Sequence, residues 1–139
     1  MKREFPEQEA KPGSLSYALG MEKIVDDGKS GRAIVHYRAR LEMCHSGGIV
    51  QGGFITGWID AAMAHVVIAQ SDYQLSPLTL EIKVSFLQSA SPGLIIAEAW
   101  IERQGKSTAF LEGLIRNEKG DVLAKGTSTA RLVPMKRAA

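Results

Sequence analysis

Two features between His45 and Asp60 have residue types and spacing suited to chemistry: a glycine pair, Gly52 and Gly53, and a single carboxylate, Asp60, set in an otherwise apolar run. If a helix begins at Gly52, its first turn leaves backbone N–H groups unpaired and carries partial positive charge. Glycines there let a carbonyl oxygen approach bare donors, which outlines an oxyanion hole. The same pair would also serve a tight loop-to-helix junction. A carboxylate buried without partners is costly, so an acid in an apolar helix is retained where something compensates, and acids held in clefts are candidates for function. An Asp that faces water or caps a neighbouring backbone group would satisfy the same sequence.

Gly52 and Asp60 are eight positions apart, which on one helix is about 12 Å at about 1.5 Å per residue. A catalytic group must lie within about 3 Å of what it acts on. One chain does not easily bring both to a single carbonyl. If two such helices run antiparallel across a two-fold axis, Gly52 of one chain can face Asp60 of the other, so a homodimer with two equal sites is expected.

Gly52 to Gln70 is the one long helical candidate, and Phe54, Ile55, Trp58, Ile59, Ala61, Ala62, Met63, Val66, Val67 and Ile68 leave it no continuous polar face. Such a helix must be covered on most sides. Before it, Tyr17 to Val25 and Arg32 to Met43 alternate apolar and polar residues around the turn signals Asp27-Gly28 and Ser30-Gly31, and read as a strand hairpin. Cys44 to Val50 is glycine-rich and reads as a loop. After the helix, Leu78 to Leu87, Leu94 to Arg103, Thr108 to Asn117 and Val122 to Val133 read as four more strands, separated by Ser91-Pro92-Gly93, Gln104-Gly105 and Lys119-Gly120-Asp121. An α+β fold follows, with a six-stranded antiparallel sheet curled about one helix. Edge strands of such a sheet must be covered or paired, which again favours self-association.

The chain has 139 residues, enough for one core, so residues 15–139 are read as a single domain behind a flexible 1–14 leader of polar, Pro and Gly residues. With 45% hydrophobic and 23% charged residues, the composition is that of an ordinary globular protein. A net charge of +2 is too weak for a nucleic-acid binder, yet it tolerates an anionic ligand. One cysteine, Cys44, and no apolar run after the basic N-terminus point to a reducing cytoplasm. The nearly uncharged stretch Cys44 to Ser71 contains glycines, Gln51, His45, His65 and Asp60, which favours a buried helix over a membrane span. His36, His45 and His65 lack metal-ligand spacing, so no zinc site is expected. Gln104-Gly105-Lys106-Ser107 lacks the upstream glycine of a phosphate loop and reads as a hairpin turn.

The stretch Gln51-Gly52-Gly53-Phe54 with Asp60, followed by Pro77-Leu78-Thr79-Leu80-Glu81-Ile82-Lys83-Val84-Ser85-Phe86-Leu87 and by Asp121-Val122-Leu123-Ala124-Lys125-Gly126-Thr127, resembles the hotdog-fold acyl-CoA thioesterases of the phenylacetate-degradation type. The resemblance spans about Gly31 to Val133. It implies a hotdog fold and hydrolysis of an acyl thioester to free acid and coenzyme A, with no cofactor beyond the coenzyme A of the substrate. It further implies that the Gly52 N–H polarises the carbonyl, that Asp60 attacks it or activates water, and that Thr79 helps to place that water. Homodimers are the expected assembly, with a dimer of dimers as a further option. His45 stands where the family usually has Asn or Gln, and Gln51 where it commonly has His; Gln51 can hydrogen-bond but carries no proton at neutral pH. The acyl group would lie against the helix start at Gly53 and against Phe54, Trp58 and Met63, with Arg103 or Lys106 on a coenzyme A phosphate. Two alternatives stay open: a non-catalytic acyl-CoA-binding protein, and a hydratase or dehydratase of acyl thioesters.

Overall fold

The computed structural model describes residues 11–135. Helix α1 (Leu15–Ala18) opens the described chain, followed by strands β1 (Met21–Asp27) and β2 (Arg32–Ala39), helix α2 (Gly52–Gln70), and strands β3 (Leu75–Phe86), β4 (Gly93–Gln104), β5 (Thr108–Asn117) and β6 (Val122–Pro134). The six strands form one antiparallel sheet in the order β1-β2-β4-β5-β6-β3. Residues 40–50 carry a short 3-10 turn, Leu41–Met43, and a minimal ladder between Cys44–His45 and Ile49–Val50.

Helix α2 packs across the sheet and touches all six strands. The strand positions beneath it are small or apolar: Ala97, Ala99, Ala109, Ala124 and Ala130 are almost fully buried. Gly113 and Gly126 lie directly under Ile59, and a Cβ added to either would come 3.1 Å from the Ile59 Cγ2. Small residues in the middle of adjacent strands let the helix settle close to the backbone, and the sheet bends around it. The period-2 pattern that predicted β2 places Ala33, Val35, Tyr37 and Ala39 on the covered side.

The helix buries Ile55, Trp58, Ile59, Ala62, Met63, Val66, Val67 and Ala69, while Asp60, Ala61, Ala64, His65 and Ile68 remain half-buried. The expectation of cover on most sides therefore holds for the sheet-facing side, and one stripe of α2 is left partly open by the described residues.

Three local expectations are corrected. Tyr17 and Ala18 belong to α1 and not to the first strand, because the Ser14 hydroxyl caps the turn by accepting the Tyr17 N–H at 3.1 Å. Gly20, at φ +72°, then redirects the chain into β1, a conformation costly for residues with a Cβ. Residues 40–43 leave the sheet at Ala39, and Leu87 sits just past the end of β3, its N–H donating to the Leu123 carbonyl at 2.8 Å. Of the expected 1–14 leader, residues 1–10 lie outside the described residues; Lys11 to Ser14 form the turn that caps α1.

Candidate active site

The start of α2 is built by Gln51. Its extended backbone, φ −66° and ψ 136°, makes it the N-cap, and its side-chain oxygen Oε1 accepts the Gly53 N–H at 2.8 Å. A Cβ on Gly53 would come 2.6 Å from that oxygen, so a glycine is needed for the glutamine to cap its own helix. Gly52, the first helical residue, is half-buried where Gly53 is exposed, and no hydrogen bond from its N–H is formed among the described residues. Its exposed face meets the ring of Phe86, whose Cζ and Cε1 would stand 3.2 and 3.3 Å from an added Cβ. Both glycines thus have a steric reason to be glycine, and Gly52 also presents a donor at the positive end of a 19-residue helix.

Asp60 lies two turns further along. Its Oδ1 accepts the Thr79 hydroxyl at 2.7 Å, and its side chain is half-buried on the open stripe of α2. Thr79 is in β3, immediately before a bulge that displaces Leu80. The structure therefore joins Asp60 to Thr79 near the middle of β3 within one chain, and it places Gly52 against Phe86 at the C-terminal end of the same strand.

The remaining expected residues are dispersed. His45 is exposed, pairs with Ile49, and has its Nδ1 3.2 Å from the Ser46 carbonyl oxygen. Phe54 is half-buried and packs on the core. The expected acyl contacts at Trp58 and Met63 are corrected by their placement: they are 0% and 1% exposed. The Trp58 indole donates to the Leu19 carbonyl at 2.8 Å and its ring packs on Tyr37 at 6.2 Å, so this aromatic spans the core. Arg103 and Lys106 are exposed on the β4–β5 hairpin, in the row in which Gln104 pairs with Ala109, Ala109 with Ala130 and Ala130 with Thr79. Three strand spacings, about 14 Å, separate that row's two ends. Cys44 donates its thiol to the Arg40 carbonyl at 3.6 Å. His65, on the open stripe beyond Asp60, is held below its ordinary pKa by burial. Among the described residues no group of three or more His, Cys, Asp or Glu side chains is arranged to hold a metal ion.

Two features escaped the sequence. Phe86 over Gly52 joins positions far apart in the chain, and no local spacing signals it. Gln51 as a cap was readable only in part, since Gln is not among the favoured cap residues.

Comparisons with known proteins agree with this architecture. A relative in Saccharolobus solfataricus that carries a provisional esterase name is 27% identical over 97 residues, covering 70% of this chain and 69% of that protein. The structure is similar to that of a phenylacetic acid degradation-related protein from Ralstonia eutropha JMP134, with a TM-score of 0.79 and 28% identity over 89% of this chain and 93% of that one. A hypothetical thioesterase from Streptococcus pneumoniae TIGR4, solved with coenzyme A, shares the fold at a TM-score of 0.71 and 21% identity, covering 84% of this chain and 87% of its own. The six-stranded sheet curled about α2 is the hotdog fold of these structures. The model of the Thioesterase superfamily matches residues 47–124, from the loop before α2 into β6, and the chain belongs to that superfamily.

Proposed function

We propose that this protein hydrolyses acyl-CoA thioesters at two equivalent sites, each shared between two copies of the chain. The observation that carries the reading is the layout of β3: Asp60 with Thr79 stands near the middle of an exposed edge strand, and Gly52 with Phe86 marks its C-terminal end. Against β6, Thr79 faces Ala130, Lys83 faces Thr127 and Phe86 faces Ala124, so Lys83 lies midway, three ladder steps from each (130 − 127 and 127 − 124). If β3 pairs antiparallel with its own copy about a two-fold axis near Lys83, Phe86 of one chain stands opposite Thr79 of the partner subunit. Gly52 then faces Asp60 of the partner subunit. The bulge at Leu80 matters here, since without it the two positions would not fall in phase on one face of the joined sheet.

Leu78 and Leu80 are 53% and 66% exposed, apolar surface on either side of Thr79 along this edge. Such an edge calls for a partner strand.

In the shared site the thioester oxygen accepts the Gly52 N–H, which stabilises the negative charge that develops there. Asp60 of the partner subunit, steered by the hydroxyl of its own Thr79, either attacks the carbonyl carbon or takes a proton from the water that does. The C–S bond breaks, coenzyme A leaves as the thiol with a proton that comes from water, and the water oxygen forms the new C–O bond of the free acid, directly or by cleaving an anhydride first formed on Asp60. The coenzyme A bound to the Streptococcus pneumoniae relative supports this ligand class. Exposed Arg103 and Lys106 supply cations for its phosphates. No other cofactor is needed.

Two variants test the shared site. Asp60→Asn removes the acid. Gly52→Pro removes one backbone donor at a helix position where proline is tolerated, behind a Gln51 whose backbone already suits a following proline, and Gly52→Ala, which brings the same Cβ against Phe86 but keeps the N–H, is its control. The Asp60→Asn and Gly52→Pro homodimers should each lose about a hundredfold to a thousandfold in thiol release from acyl-CoA. Co-expressed in equal amounts, half of the dimers are mixed and each holds one intact site, so about a quarter of the wild-type activity should return. Unchanged turnover in Asp60→Asn ends the mechanism. No recovery in the mixture, with dimers intact, ends the shared site.

A further inference from the structure

Beside the Gly52 donor lies an open groove of about 360 Å³, lined by Ile49, Val50, Ile55, Phe86 and Leu87. Its polar side chains, Gln88 and Ser89, carry no charge. The volume is near the lower end of the range for ligand pockets, about 300–1,000 Å³. Phe86 is 54% exposed and is not a core residue, yet its ring is packed on Gly52 more tightly than an ordinary contact to a Cβ would permit. Aromatic bulk therefore stands directly beside the donor.

We infer that Phe86 is a specificity-determining residue that admits uncharged acyl groups unbranched at the carbon next to the carbonyl; the inference rests on the proposed placement of the thioester at Gly52. A carbonyl oxygen that accepts the Gly52 N–H brings its carbonyl carbon and the adjacent carbon within a few ångströms of the same surface. A substituent on that adjacent carbon meets the Phe86 ring. Branches further along the chain lie in the open groove, where Ile49 and Leu87 offer apolar contact. A carboxylate on the acyl group would enter a groove without a cation and lose its hydration uncompensated.

Three isomeric substrates separate position of branching from hydrophobicity: hexanoyl-, 2-methylpentanoyl- and 4-methylpentanoyl-CoA. Wild type should hydrolyse the 2-methyl isomer at least about tenfold less efficiently, as kcat/KM, than the linear one, with the 4-methyl isomer within about threefold of it. Phe86→Ala should bring the 2-methyl isomer to within about threefold of hexanoyl, with Phe86→Leu intermediate, while the 4-methyl ratio stays put. No preference in wild type, or an unchanged ratio in Phe86→Ala, overturns the inference while leaving hydrolysis standing. If wild type turns over none of the three, the hydrolytic reading falls, and equilibrium binding of the same esters decides. A 2-methyl penalty that Phe86→Ala relieves in affinity keeps the specificity role, and equal affinities or no binding end it.

Discussion

The two positions on β3 work with opposite materials. At the Phe86 end the candidate group is a backbone N–H, Gly52, beside apolar side chains and next to a glycine capped by a glutamine. At Thr79 the candidate group is a side chain, Asp60, and it accepts a hydrogen bond from a hydroxyl 2.7 Å away on the adjacent strand. A backbone donor is positioned by the helix itself and needs only room, which is why glycine stands there. A carboxylate on a half-open helix face has rotamer freedom and needs a partner to hold it. Neither position alone contains an electrophile-binding group and a nucleophile or base.

Thr79→Val keeps the shape and deletes the bond to Asp60, so it probes the position that depends on a side chain. Loss of a hydrogen bond to a charged group is worth about 1.5–3 kcal/mol, so kcat should fall by about tenfold to a hundredfold with KM little changed. An unaltered kcat would mean that Asp60 needs no steering and would erase the contrast. Gln51→Ala probes the other position. The lost cap should cost about 1 kcal/mol and lower Tm by a few degrees in a thermal melt. Because the Gly52 N–H remains, kcat/KM should stay within about threefold, and a hundredfold fall would make the Gln51 side chain part of the chemistry.

His65 gives the smallest effect, on stability. Burial holds its folded pKa below the ordinary 6.5. The unfolded chain therefore binds the proton first, and stability is fully present above about 6.5 and declines as pH falls from there through the lower folded value. Chemical denaturation in steps of pH should show this decline in wild type and a shallower one in His65→Gln. An equal slope in both would assign the acid sensitivity to other groups.

Much of the fold was legible. The helix was read with both of its ends, Gly52 and Gln70, because an apolar run opening on two glycines has few other interpretations. Strands β4 to β6 fell within a residue or so of their expected bounds, since turn residues bracket alternating runs. Tyr17 and Ala18 were misassigned because a one-turn helix has no periodicity to detect, and it is held by the Ser14 cap and by Arg40, whose guanidinium donates to the Tyr17 and Ala18 carbonyls from 22 or 23 positions away. Trp58 and Met63 were expected at a ligand because they share the helix with Asp60, yet a helix apolar on every side does not say which aromatic faces the sheet.

The sequence by itself determined that a donor-bearing helix start and an acid share one helix, about 12 Å apart, too far to meet within that helix. That follows from helix geometry and needs no coordinates. Only the tertiary structure decided that Thr79 meets Asp60, that Phe86 covers Gly52, and that both pairs sit on one exposed edge at equal distances from Lys83. Those contacts depend on strand register and on a bulge at Leu80, which arise from packing between segments distant in the chain and leave no local pattern to read.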